Sequence, residues 1–442
     1  MFDLVIRGGH VVTPAGIIEA DVAIDGELIA SIAAGTSPGE REIDARGLTV
    51  LPGLIDVHLH FNEPGRTEWE GAASGSRALA AGGGTLFFDM PLNSSPCTVG
   101  PLEFEQKRAA LEAASVTDFA LWGGIVPGNT GTLADLAECG AVGFKAFLCD
   151  SGLPEFPRAD DLTLYEAMRE AARLRLPVAV HAESEEITKA LAGRMLASGR
   201  HDIPAFLESR PVIAEIEAIQ RAGLMARETG CKLHVVHISS GRGVATALEA
   251  RSLGADISIE TCPHYLLFTE EDLLRIGALA KCTPPLRSPA ERAALLRFVL
   301  GGEVEIVASD HSPCPPDMKA NDNFFGIWGG IGGVQWTRAA LIEKGVGMPA
   351  IASLTAANGA RRFNIGKKGT IEVGMHADFA IVDPASAQIV HEDGMFQRHR
   401  ATPYMGLKLH GITRHTIRRG EIVFSAGAIT ATTRGAFVRP GI

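Results

Sequence analysis

Residues Gly53–Gly65 read GLIDVHLHFNEPG, an apolar run that ends in two histidines one residue apart and passes at once into Asn-Glu-Pro-Gly. In a β-strand, residues i and i+2 point to the same face. His58 and His60 are therefore predicted to present two imidazoles side by side where a strand ends. Two imidazoles grip a metal ion well but do not complete its coordination, so the remaining ligands must come from elsewhere in the chain.

Beyond this stretch, short apolar segments recur with Ala/Leu/Glu/Arg-rich helical stretches between them. They are TLFFDMP, FALWGGIV, GAVGFKAFL, PVAVHAE, KLHVVHIS, DISIETCPHY and EIVASDHSP, starting near residues 85, 119, 140, 177, 232, 256 and 305. With the first, near residue 53, that makes eight strands joined by helical crossovers. Helix starts are legible too, as in Ser288-Pro-Ala-Glu291, a capping box with Pro at the first helical position. The predicted fold is α/β, a (β/α)₈ TIM barrel over residues 52–365. The two ends read differently. DLVIRGGHVVTP, EADVAIDGELIASIA and REIDARGLTVLPG near the start, and KGTIEVGMHADFAIVDP and ITRHTIRRGEIVFSAG near the end, alternate around glycine turns. Residues 1–51 and 366–442 are predicted to form one small β-sandwich domain built from both termini.

Composition narrows the function classes. The chain has 442 residues, 46% of them hydrophobic and 21% charged, with a net charge of −11. That acidity argues against nucleic acid and anionic membranes as partners. No run approaches the ~18 apolar residues needed to span a bilayer, and the start, MFDLVIRGG, reads as strand and turn rather than as a leader. The cysteines at 97, 139, 149, 231, 262, 282 and 314 are odd in number and form no CxxC pair, as expected of reduced thiols in a cytoplasmic protein.

Chemistry in such a barrel sits at the C-terminal ends of the strands. Those ends carry His58 and His60 on the first strand, Lys145 on the fourth, His181 on the fifth, His237 on the sixth, His264 on the seventh and Asp310 on the eighth. Each has a plain alternative when taken singly. His181 reads as a hydrogen-bonded core histidine, Asp310 as a helix cap, and Lys145 as a surface lysine, although burying its charge within GAVGFKAFL is costly. Taken together they predict a metal site. Nitrogen and oxygen donors without thiolate suit Zn²⁺, Mn²⁺, Co²⁺ or Fe²⁺. A desolvated lysine has the lowered pKa needed to react with CO₂. The resulting carbamate on Lys145 would offer two oxygens able to bridge two ions.

HxH on strand 1, Lys on strand 4, His on strands 5 and 6 and Asp on strand 8 resemble the cyclic amidohydrolases of the amidohydrolase superfamily, a group that includes dihydroorotase, hydantoinase and allantoinase. The resemblance covers nearly the whole chain, with GMHADFAIVDP similar to a recurrent strand of that group's terminal domain. It implies two divalent metal ions, most readily Zn²⁺. His58, His60 and Asp310 would hold one, His181 and His237 the other, with carboxylated Lys145 between them. Asp310 is the implied general base. Glu183 and Glu260 are candidate acceptors behind the ligand histidines, and the implied assembly is a homotetramer.

The substrate is approached through departures from the pattern. Dihydroorotases usually continue HxH with Leu-Arg-Glu/Asp-Pro-Gly, the arginine gripping a carboxylate; here that position is Asn62. They carry Met-Pro-Asn-Thr where this chain has Met90-Pro-Leu92-Asn93, and hydantoinases carry a tyrosine that KAFLCDSGLPEF lacks. In contrast HFNEPGRTEWEG, DMPLNSSP, VGFKAFL, CPHY, AKCTPPLR, SDHSPCPPDMK and WGGIGG are together similar to the allantoinase branch. The resemblance implies hydrolysis of the hydantoin ring of allantoin, with Asn62, Asn93, His264, Thr283, Ser312 and Gly330 as candidate substrate-binding residues. The ring's imide edge would be read by backbone amides at Gly329, Gly330 and Thr283. Asn62 reads equally well as a turn residue, and Trp69 as a packing anchor. Hydantoinase or dihydroorotase activity is the alternative within enzymes, and an inactive scaffold the alternative outside them.

Overall fold

The strand Leu54–Leu59 is buried along its whole length, as is the strand Gly84–Asp89 beside it. Strands buried on both faces belong to parallel sheets covered by helices, and the structure, a computed structural model that describes residues 1–441, follows that rule. Eight parallel strands succeed one another: Leu54–Leu59, Gly84–Asp89, a third in two pieces (Asp118–Leu121 and Gly123–Gly124), Phe144–Phe147, Val178–His181, Leu233–Val235, Ile257–Thr261 and Ile306–Val307. They pair in chain order. The ring closes where Asp310 N–H donates to the His58 carbonyl (2.9 Å) and His60 N–H to the His311 carbonyl (2.8 Å).

Alternation along the strands sorts side chains into two cores. Ile55, Val57, Leu86, Phe88, Ala120, Trp122, Ala179 and Ile306 fill the barrel, whereas Leu54, Phe87, Phe119, Leu121, Val178 and Val180 face the helices. Phe144 and Ala146 belong to the outer set, so the period of two turns Lys145 inward between them.

The fourth strand starts at Phe144 rather than near 140, because Gly140 (φ 105°) ends the helix Leu133–Cys139 in the left-handed conformation and Gly143 precedes the strand. Ser288 caps its helix as predicted, accepting from Glu291 N–H. The Glu291 carboxylate, however, turns away to Arg242, so the box is half formed.

Both ends of the chain meet in one nine-stranded mixed sheet. Thr49–Pro52 pairs with Phe2–Thr13 on one side and with Phe379–Ile389 on the other. The expected sandwich is thus a single hydrogen-bonded run of strands around its own apolar cluster, which includes Leu4, Val22, Val50, Phe379 and Ile417. Among the described residues no helix is long and apolar enough to cross a membrane.

Lys368 joins this sheet to the barrel. Its buried ammonium lies 2.8 Å from Asp118, at the start of the third barrel strand, and 2.5 Å from Asp378. Removing one member of a buried ion network strands the others. Lys368→Met is expected to lower unfolding stability by about 3 kcal/mol, read as a reduced urea midpoint. An unchanged midpoint would show that the two sheets do not depend on this lysine.

Candidate metal centre and cavity

The donors lie where the barrel strands end. A register shift between Asp56 and Leu59 interrupts the alternation, and after Ile55 and Val57 the strand turns His58 and His60 toward Asp310. The Nε2 atoms of both histidines stand 3.3 Å from the same Oδ1 of Asp310. On the far side, His181 Nδ1 and His237 Nε2 approach to 3.1 Å. The His58 and His237 rings, 5.3 Å apart, join the two pairs. His58, His237 and Asp310 hold donor atoms within 4.8 Å of one another.

Which nitrogen each ring presents is set from behind. His58 Nδ1 lies 2.7 Å from Glu260, leaving Nε2 for the site, and His181 Nε2 lies 2.9 Å from Glu183, leaving Nδ1. A proton held on one nitrogen by a carboxylate leaves the other as a lone-pair donor. Burial pushes His60, His181 and His237 below the ordinary histidine range, toward the neutral form that binds metal. Burial alone would raise the Asp310 carboxyl; His58, His60 and His264 outweigh it and hold it well below the usual range. The set therefore has the composition, tautomers and charge of a divalent-metal site.

Lys145 is fully buried, its Nζ has no hydrogen-bond partner, and burial pushes its pKa down to about 8. It lies 5.2 Å from the Phe147 ring, which in turn stacks on His181 at 4.5 Å. Cys149 also gathers near His181 and Glu183. Burial pushes its thiol up to about 12, away from the thiolate a ligand requires.

A cavity of about 420 Å³ opens above this floor. Among the sequence-predicted residues, His58, His60, His181, His237, Asp310, Asn93, Thr283, Ser312 and Gly330 line it; Lys145, Asn62 and His264 do not. Asn93 Nδ2 donates to the Ser312 hydroxyl at 3.3 Å. Asn62 is buried behind the wall with both amide atoms unpartnered, and so are both ring nitrogens of His264, whose pKa burial lowers to about 4. Asn62, Asn93, His237 and Asp310 all have positive φ, strained backbone of the kind found around functional sites.

One expectation is corrected. The Gly330 N–H is not free to read a substrate, because it donates to the Lys281 carbonyl at 2.9 Å. What Gly330 contributes is space, since a Cβ there would meet the Ser312 carbonyl oxygen at 2.1 Å. Sequence reasoning did not find His234, whose Nε2 shares Glu260 at 2.9 Å. It also missed Arg210 and Lys281 in the cavity wall, whereas the segment 318–330, Trp328 included, lines it as the sequence suggests. The only signal for His234 was its spacing from His237 in HVVH.

The pattern described as the amidohydrolase family matches residues 49–423, and the chain belongs to that family. Within it, the kinship is with allantoinases. The allantoinase of Solibacter usitatus is 61% identical, across 100% of this chain and 97% of that protein. That of Rubrobacter xylanophilus is 53% identical, across 99% and 98%. Among solved structures, the L-hydantoinase of Arthrobacter aurescens superposes with a TM-score of 0.96 at 32% identity, covering 99% of this chain and 100% of that one.

Glu260→Gln removes the charge that fixes His58 and His234 while keeping the shape. Metal affinity is expected to fall by about 10–100-fold, measured by titration against a competing chelator. Wild-type affinity in that variant would detach Glu260 from the metal centre.

Proposed function

We propose that this chain is a metal-dependent allantoinase that hydrolyses the hydantoin ring amide of allantoin to allantoate. The observation that carries the hydrolase reading is Lys145, an amine with no partner buried within electrostatic reach of His181, His237 and Asp310. No ion pair explains it, whereas a carbamate formed with CO₂ would turn it into an anionic ligand. His58, His60 and Asp310 would hold one divalent ion and His181 and His237 a second, with Lys145 between. Zn²⁺ is the best fit to these donors, with Mn²⁺, Co²⁺ and Fe²⁺ also suited. When bound, such ions supply Lewis acidity and a water made nucleophilic at neutral pH.

The chain's own residues do the rest. Asp310, kept ionised by the imidazoles around it, accepts the proton of the attacking water on a carboxylate oxygen and delivers it to the departing ring nitrogen. The bond between the ring carbonyl carbon and that nitrogen breaks. The water oxygen stays bonded to that carbon, which ends as a carboxylate once the second water proton is lost to solvent, and the nitrogen becomes the end of a second ureido group. Asn93, Thr283 and Ser312 line the cavity as uncharged hydrogen-bonding groups, suited to a neutral ring rich in urea groups. The absence of an arginine at Asn62 supports the same reading. Residues 52–365 would form the catalytic barrel, with 1–51 and 366–442 the accessory domain. The unpaired thiols support a reducing cytoplasm, and a homotetramer completes the proposal.

The hydantoinase reading draws on the shared fold with the Arthrobacter enzyme, but a fold at that identity hosts several cyclic amides. Metal-loaded protein assayed with allantoin, hydantoin and dihydroorotate decides between them. Allantoin is expected to have the highest kcat/KM, and Asp310→Asn to lose about 10²-fold or more of it. A preference for either other ring would replace the substrate assigned here. Near-normal turnover in Asp310→Asn would remove its role as base.

A further inference from the structure

One wall of the cavity is a segment with almost no regular structure. Residues 316–330 contain only the short 3₁₀ turns Pro316–Lys319 and Phe324–Gly326, yet Met318 and Phe325 through Gly330 face the cavity. A segment without helix or sheet must satisfy its carbonyl oxygens in some other way. Lys281, buried, and Lys319, half-buried, do so. Lys281 Nζ donates to the carbonyls of Phe324 (2.6 Å), Phe325 (3.2 Å) and Ile327. Lys319 Nζ donates to those of Trp328 (2.8 Å) and Gly330 (2.9 Å). The segment answers through its amides. Gly330 N–H reaches the Lys281 carbonyl (2.9 Å), and Trp328 N–H reaches that of Met318 (3.2 Å).

Every hydrogen-bond partner of these two ammonium groups is a backbone carbonyl. The Phe206 and Phe324 rings, 4.8 and 5.2 Å from Lys281 Nζ, complete its cage. A cation buried without a carboxylate is expensive. Burial, with Lys319 and Arg210 nearby, pushes Lys281 down to about 7, and burial pushes Lys319 down to about 8. An apolar side chain would fill either space at less cost in desolvation but would leave the carbonyls unpaired. What the lysines provide is a fixed backbone path, and that path carries Trp328. Its ring packs against Trp69 at 4.8 Å, and its indole N–H is buried without a partner.

We propose that Lys281 and Lys319 are positioning residues for substrate selection, clasping residues 324–330 as a rigid cavity wall against which a cyclic ureide is recognised. The proposal rests on the allantoinase reading. Because both lysines act on the wall rather than on the metal ligands, their loss should weaken substrate binding and spare the chemical step.

The test uses metal-loaded Lys281→Met and Lys319→Met, with steady-state kinetics on allantoin, metal content, and hydrogen exchange of the segment without substrate. KM is expected to rise by about 10-fold or more, while kcat changes by less than about threefold and metal content stays at the wild-type level. Exchange should accelerate within residues 318–330. Lys281→Arg, which keeps charge and donors, should recover part of the KM. Unchanged KM and exchange in both variants would overturn the proposal, and so would kcat and metal content falling together with KM. Should Lys281→Met fail to fold, Lys319→Met decides alone. Wild-type protein inactive on allantoin would count against the functional reading, and the exchange measurement would still decide whether the lysines hold the wall.

Discussion

Glu260 lies fully buried beneath the candidate metal centre, and its carboxylate accepts from three groups on two different strands and the turn after one of them. These are His58 Nδ1 on the first barrel strand (2.7 Å), His234 Nε2 on the sixth (2.9 Å) and the backbone N–H of His237 (3.1 Å). Burial would raise its pKa; the histidines bring it down to about 2. A carboxylate ionised in such a place holds its neighbours in one tautomer and one orientation. The direction in which His58 presents its free nitrogen, and the left-handed turn at His237, both depend on it. Glu183 repeats the device for His181, itself anchored by Arg210 at 2.5 Å.

Above that floor the candidate metal donors and the cavity walls come from different elements. The donors sit on strand ends, in a closed barrel whose hydrogen bonds allow little movement. The cavity walls come from the segments that follow the strands, including the helices Glu185–Ala197 and Ile203–Ser209 after the fifth strand, which bring Ala192 and Phe206 to the cavity and lead on to Arg210. This division explains why an L-hydantoinase shares the fold so closely at 32% identity. A barrel of this kind is common to many chemistries, and it is the segments after the strands that vary.

The parts of the fold set by local periodicity were legible in the sequence. Buried parallel strands announce themselves as apolar runs, and the cost of burying a charge within GAVGFKAFL singled out Lys145. His58 and His60 came from the period of two, although the register shift near Asp56 shows that a bulge helps to aim them. The fourth strand was placed too early because Gly140-Ala-Val-Gly143 is apolar enough to pass for strand, while its glycines serve the preceding turn. What was not legible depends on pairs far apart in the chain. Glu260 was legible as an acceptor but not as the partner of His58, 202 residues away, and Lys281 is 43 from the Phe324 carbonyl it holds. A lysine that cages backbone carbonyls leaves no pattern in sequence, since carbonyls belong to every residue. Gly330 was identified as a cavity residue, but its amide had already been claimed by Lys281.

On the function proposed above, these histidines, Asp310 and a carboxylated Lys145 would hold two metal ions together. Elemental analysis of protein reconstituted with Zn²⁺, in bicarbonate and in CO₂-free buffer, tests it most directly. Two ions per chain are expected with bicarbonate and a clear deficit without it, because the bridging ligand must be made from CO₂. A single ion per chain, or full occupancy indifferent to CO₂, would contradict it.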